Sequence, residues 1–375
     1  MKALAGSILL FAFASMALAA SPDHAPTLAD LQRQAKADVA KEFDGLPVLP
    51  PCDVTQAITL SLRHGKLHVD TNLVAAGVGY RALKLKGLPG LAKMQVIAHT
   101  VIGGADSPQN IRFIYRDLTV PGALCVGTEV FSGSDLVQVA QDSDLNDGSS
   151  TSVQYVQSSA DGPEAAVLYL QFPEENPNDA IKPRRLTDSS LPELCRDYPQ
   201  EVNQHLRPIF RLLGQEAAAF SVEPPVAWQV LGSHWTPDAA TVAAADDAVL
   251  RLGADSFQKR EDAMRDLHAL GQPAAVYLMN RAEEHLTPEQ SMRLDLFLSP
   301  YRPLSDDEAA RLASDPDFLL DCLYCDDGTL RQLALDQLRR AVAKPVSVDM
   351  KSDAASRQAQ IEGLRQSLEE SATRP

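Results

Sequence analysis

Residues 150–172, STSVQYVQSSADGPEAAVLYLQF, place two extended runs on either side of an Asp161-Gly162 dipeptide. Asp-Gly between strand-like runs signals a tight hairpin, because both residues tolerate the positive φ such a turn requires. A second Asp-Gly, Asp147-Gly148, stands just upstream, after DLVQVAQ (135–141). Further back come ALCVGTEVF (123–131), QNIRFIYRDL (109–118) and MQVIAHTVIG (94–103). KLHVDTNLV (66–74) and ITLSL (58–62) precede them, with His64-Gly65 as the turn. Seven or eight short runs joined by turns predict an antiparallel sheet, either a sandwich or a meander covered by helices.

Outside this block the period changes. Leu28, Leu31, Ala35 and Val39 recur at helical spacing in LADLQRQAKADVAKEF (28–43), which predicts an amphipathic helix stopped by Pro47, Pro50 and Pro51. After the strands, LPELCRDYPQEVNQHLRPIFRLLG (191–214) reads as helices starting at Pro192 and Pro199, with Pro208 marking a kink or break. PPVAWQVLGSHWTP (224–237) reads as a linker that packs down. From Ala243 onward the pattern is helical, with starts at Thr287-Pro288, Ser305, Asp315-Pro316 and Asp327-Gly328. The segment from Ser352 reads as a polar, solvent-facing helix.

Two of these helices share a motif, Arg260-x-x-Ala263-x-x-x-Leu267 and Arg331-x-x-Ala334-x-x-x-Leu338. Their arginines lie 71 residues apart, about twice the mid-thirties period of helical hairpin repeats. Arg293 falls between them in a degenerate copy. Small Ala263 and Ala334 would let neighbouring helices approach, and each arginine would reach carboxylates of the adjoining turn. The run LGADSFQKREDAMRDLHALGQPAAVYL, followed by TPEQSMRLDLFL, resembles HEAT-like helical repeats in a variant common in exported bacterial proteins. The resemblance covers about residues 243–345 and implies a scaffold or contact surface rather than an activity. An ordinary helical bundle would also account for the Arg/Ala/Leu spacing. The expected class is therefore α+β, an antiparallel strand-rich domain over 45–225 followed by an all-α HEAT-like domain over 243–345 and a polar tail over 346–375.

The first 20 residues have a secretory layout: Lys2, an apolar run from Leu4 to Leu18, and the small residues Ala17, Ala19 and Ala20. That run is shorter than the roughly 20 residues a spanning helix needs. Ala20, Ser21 and Pro22 offer no lipid-accepting cysteine. The expectation is a Sec-type signal peptide (1–20), then an N-terminal helix segment (21–44), in a mature chain free of membrane insertion in the periplasm or outside the cell. The net charge of −16 argues against nucleic acid or an anionic membrane surface as partner.

All five cysteines, Cys52, Cys125, Cys195, Cys322 and Cys325, lie in the mature part and are disulfide candidates, with at least one thiol left over. Pairing within domains is expected, with Cys52–Cys125 favoured and Cys195 competing for either partner. Cys322-x-x-Cys325 lies in a helical segment beside Asp326 and Asp327, where a thiol is held protonated rather than activated. His64, His68 and Asp70 are evenly spaced, but His64 belongs to a turn, so a shared metal face is not expected. Asp142 to Gly148 imitates a calcium loop, yet Asp147 takes the place of the sixth-position Gly and Val153 that of the twelfth-position Glu, so a hairpin turn is expected there. The sequence nominates no catalytic, cofactor-binding or metal-binding residue and no cofactor. The expected role is an exported non-catalytic protein-interaction or envelope scaffold. The alternatives are a periplasmic hydrolase with its site in the strand-rich domain, or an exported enzyme inhibitor using the Asp142–Ser150 hairpin.

Overall fold

The computed structural model describes residues 27–73, 79–98, 109–173, 183–281, 286–342 and 344–372. The signal-peptide reading lies outside them. The class is α+β as expected, with an antiparallel sheet first and helices after it.

The chain forms two compact units. One is built from residues up to Ile58 with Val69–Ser189, the other from Thr59–His68 with Ser190 onward. This corrects the expected division in two ways. The trailing helices from Leu191 belong with the helical unit, and so does the first hairpin, Thr59–His68.

In the strand unit, helix α1 (Leu28–Phe43) is started by a capping box between Thr27 and Asp30. A short helix, α2 (Val54–Ala57), leads into the first hairpin. The large sheet holds eight strands in sequential order: β3 (Arg81–Leu83), β4 (Leu91–Ala98), β5 (Gln109–Asp117), β6 (Ala123–Ser132), β7 (Leu136–Leu145), β8 (Ser150–Ser158), β9 (Ala166–Gln171) and β10 (Arg184–Asp188). Every pairing is antiparallel, so of the two expected arrangements the meander is the one formed. Gly148, at φ 84°, sits in the β7–β8 turn.

The register divides the faces cleanly. Met94, Phe113, Val130, Val139, Tyr155, Leu168 and Leu186 stand opposite one another across seven strands, and all are buried. The next row, Lys93, Ile114, Glu129, Ala140, Gln154, Tyr169 and Arg185, points to the other face because side chains alternate along a strand. One face is therefore apolar core, and the other carries the charged side chains Lys93, Glu129 and Arg185, with Lys93, Ile114 and Ala140 buried on it.

The helical unit receives the hairpin of β1 (Thr59–Arg63) and β2 (Lys66–Asp70). His64 and Gly65, at φ 52° and 73°, make the primed turn that matches strand twist. The Leu60 amide donates to Gln215 Oε1 at 3.2 Å and the Gly65 amide to Glu223 Oε1 at 2.9 Å. The helices follow as α3 (Leu191–Asp197), α4 (Pro199–Glu201), α5 (Arg207–Leu212), α6 (Glu216–Phe220), α7 (Pro224–Leu231), α8 (Ala239–Leu252), α9 (Phe257–Leu270), α10 (Gln272–Met279), α11 (Pro288–Leu298), α12 (Asp306–Leu312), α13 (Pro316–Cys322), α14 (Gly328–Ala341) and α15 (Ala354–Ala372). A π-helical turn, Val202–Leu206, joins α4 to α5 and ends just before Pro208, which has no N–H to continue an α ladder.

Two further expectations change here. Residues 224–237 are not a linker: α7 places Trp228 in the core, 4.7 Å from Trp235 between ring centres. The C-terminal segment is not merely solvent-facing, because α15 buries Ile361 and Arg365 completely. The expected starts at Thr287, Ser305, Asp315 and Asp327 are all N-caps whose side chains accept from the first turn.

The repeated arginines do equivalent work. Arg260 is the fourth residue of α9 and donates to the carbonyls of Ala254 and Asp255 at 2.8 and 3.0 Å. Arg331, the fourth of α14, donates to those of Cys325 and Asp326, both at 2.7 Å. Their main partners are thus backbone carbonyls of the incoming turn, where carboxylates were expected. Ala263, Leu267, Ala334 and Leu338 are fully buried. Arg293 instead pairs with Glu261 and Glu289, so the middle copy lacks the clamp.

Candidate functional site

The charge-bearing face of the sheet carries a cleft of about 190 Å³ near the C-terminal end of α1. It is lined by Glu42 from α1, Tyr80, Lys93 and Arg112 from β4 and β5, and Glu129 and Asp142 from β6 and β7, with Ile114 and Arg116 completing it. Glu42 is the anchor. Its carboxylate takes Lys93 Nζ at 2.9 Å and Arg116 Nε at 3.1 Å. Burial pushes its pKa up, but the charges of Arg116 and Lys93 outweigh that and hold it below the usual glutamate range.

Arg116, Gly127, Asp142 and Ser152 are consecutive partners across β5 to β8. A Cβ at Gly127 would overlap the Arg116 guanidinium, so this glycine is what lets the arginine lie across β6. Arg112 Nε meets Glu129 Oε1 at 2.6 Å. The Lys93 ammonium also stands 4.9 Å from the centre of the Tyr80 ring. Asp142 is different in kind. Burial raises its pKa, against the Ser152 hydrogen bond and the Arg116 charge, and Glu129 and Asp144 add to the rise. The cleft therefore combines fixed donors with carboxylates of unequal proton affinity.

Of these residues the sequence singled out only Asp142, as the first of the hairpin segment, and it nominated none as catalytic or binding. They come from an N-terminal helix, the segment before β3 and four strands, and the charged ones each read as ordinary polar positions on amphipathic elements. Period-two alternation in QNIRFIYRD was the one available signal, since Arg112 and Arg116 fall on a single face.

Apart from Asp142, the residues the sequence singled out do not line this cleft. His64 occupies its turn, while His68 and Asp70 are exposed on β2, and no metal-holding group of His, Cys, Asp and Glu occurs among the described residues. Asp142–Gly148 forms the β7–β8 hairpin. Asp147 Oδ1 accepts from Ser149 and the Asn146 amide donates to the Gly122 carbonyl at 3.1 Å, which leaves only Asp147 and Gly148 exposed at the tip. These bonds tie the hairpin to its own turn and to the preceding strand connection.

All five cysteines are free thiols in the structure, so the favoured Cys52–Cys125 pairing is not formed. Cys52 is held in backbone bonding to the β3 end, whereas Cys125 sits within β6. Burial pushes the Cys125 and Cys325 thiols up to about 11, and raises Cys322 well above its ordinary value. Cys325 donates to the Val222 carbonyl at 3.2 Å. Asp321 adds to the rise at both the Cys322 and Cys325 thiols, the reverse of the charge that activates one.

A second surface belongs to the helical unit. Leu250, Phe257, Met292 and Leu296 are 75%, 62%, 59% and 67% exposed. The pairs Arg260–Glu289 and Arg293–Glu261 stitch α9 to α11. Phe257 lies one turn before that seam on α9, and Met292 and Leu296 flank it at helical spacing on α11. No helix among the described residues is long and apolar enough to cross a membrane. No protein-family model matches the chain, and neither does any curated protein or solved structure in the comparisons made.

Proposed function

We propose that the protein is an exported, non-catalytic interaction module whose helices α8 to α14 form a HEAT-like array. The observation that carries this reading is the exposure of three large apolar side chains, Phe257, Met292 and Leu296, on the two helices joined by the α9–α11 ion pairs. Large apolar side chains gathered beside an ion-paired seam are characteristic of a protein contact surface. Between residues 239 and 298 Asp and Glu outnumber Lys and Arg by ten to six, so the partner segment is apolar with a basic rim. The matching clamps of Arg260 and Arg331 support the repeat assignment, and the leader sequence supports export.

The test places a photo-crosslinking residue at Met292 or Leu296 in the intact chain, with exposed Lys351 as the control position. A discrete adduct from Met292 or Leu296 alone, abolished by Phe257→Asp, is the expected result. Equal labelling at Lys351, or no discrete adduct, would overturn the reading.

A second reading, hydrolysis in the strand unit, is favoured by one observation: a part-buried carboxyl of raised pKa, Asp142, shares a cleft with Glu129. It requires that Asp142→Asn abolish turnover of some glycoside or ester while leaving the fold intact.

A further inference from the structure

The cleft on the charge-bearing sheet face poses a question separate from the exposed apolar side chains of the helical unit. Three cations, Lys93, Arg112 and Arg116, face three carboxyl groups, Glu42, Glu129 and Asp142. An anion entering the cleft meets Glu42 and Glu129, and a cation meets the two guanidinium groups. Neither sign is selected. What the cleft offers is a dense set of donors beside acceptors, held in place by mutual pairing at 2.6 to 3.1 Å. The side chain of Arg116 is only 10% exposed and that of Glu129 14%, so little ordering remains to be done when a ligand arrives.

We propose that this cleft binds a small, neutral, polyhydroxylated molecule, a single sugar ring or a polyol of similar size. A hydroxyl both donates and accepts, so neighbouring hydroxyls can bridge an arginine and its carboxylate without breaking the pair. Carboxylates held in ion pairs keep further lone pairs for this purpose. Ile114 and the Tyr80 ring supply the apolar surface on which the C–H side of a ring can rest. At about 190 Å³ the space lies below the roughly 300 Å³ at which drug-sized pockets begin, which limits the occupant to one ring. The proposal does not depend on the interaction reading of the helical unit, and it holds whether or not the ligand is turned over.

The experiment is saturation-transfer NMR on the mature chain. The neutral probes are glucose, galactose, N-acetylglucosamine and inositol; the charged ones are glycerol phosphate, citrate and spermidine. The expected result is saturation of ring protons in at least one neutral probe and none in the charged set. The double variant Arg112→Gln/Glu129→Gln removes one charge of each sign, so the net charge of the cleft is unchanged, and is expected to weaken binding about ten-fold, the equivalent of one charge-assisted hydrogen bond. Should that variant melt early, Tyr80→Ala removes the ring surface and takes no member from the Lys93–Glu42, Arg116–Glu42 or Arg112–Glu129 pairs, and is expected to abolish the signal. Saturation of charged probes alone, of no probe, or of a sugar whose signal survives both variants would overturn the proposal. The Phe257→Asp variant keeps its sugar signal, which separates failure here from failure of the contact-surface reading.

Discussion

Arg207 is almost wholly buried, yet it makes a two-pronged contact with Asp321 at 2.9 and 2.8 Å and reaches Glu216 at 3.3 Å. Arg365 on α15 enters the same knot, donating to Asp321 at 2.6 Å and pairing with Asp317. Arg211 closes the far side of Glu216 at 2.9 Å. Removing one member strands opposite charges in a medium that cannot solvate them. Asp321→Ala is therefore expected to cost about 3–5 kcal/mol, read by urea unfolding. For Glu216, burial acts upward, but hydrogen bonding from Arg211 and the nearby arginine charges leave the pKa below the glutamate value. A depressed carboxylate contributes stability above its unfolded pKa and loses it as pH falls through the folded one. The melting temperature should drop on acidification below the ordinary glutamate range, and Glu216→Gln should flatten that limb. Asp142 has the opposite sign: its raised pKa means stability falls as pH rises through the folded value, so Asp142→Asn should raise the neutral melting temperature while making little difference near pH 4. Thiol titration with the native protein near pH 8 should be slow, and denaturation should release all five. A denatured count of three or one would mean that bridges form. None of this knot was legible in the sequence, because Arg207 and Asp321 are 114 residues apart and each alone resembles a solvated surface charge.

Helices and strands show where local reading works. Caps were legible because Thr287, Ser305, Asp315 and Asp327 satisfy their own first turns, a matter of three residues. Long alternating strands were legible for the same reason. β3 and β10 were not, since RAL and RRLTD are short and polar and become strands only by pairing with β4 and β9. The Arg-x-x-Ala-x-x-x-Leu spacing also carried real information. In both copies the alanine and leucine are fully buried and the arginine clamps the preceding turn. Ala334→Arg is expected to cost about 3 kcal/mol through overpacking and charge burial. An unchanged thermal melt would mean that α14 does not stack closely on its neighbours.

At the scale of the molecule, the order of patterns, strand-like runs and then helical ones, gave the α+β class with sheet before helices. The unit boundary escaped it. A strand pattern says that a segment is extended but not which partner it will take, so β1 was read as part of the large sheet. Export belongs to this scale too: intact mass of the mature protein should show cleavage near Ala19 or Ala20, and a retained Met1 would refute it. The placement of the first hairpin also bears on time. Leu60 leaves the ribosome 155 residues ahead of Gln215, the side chain that receives its amide. At about 5–20 residues per second, that is a wait of roughly 8 to 30 s. Throughout it, a finished strand pair has its own turn and no helices to rest on, and the helical unit has its late residues still to come. A chaperone that shields nascent or translocating chains has its clearest work in that interval, and a pause in synthesis placed between Ser189 and Gln215 would lengthen the one step at which this protein is most open to mispairing.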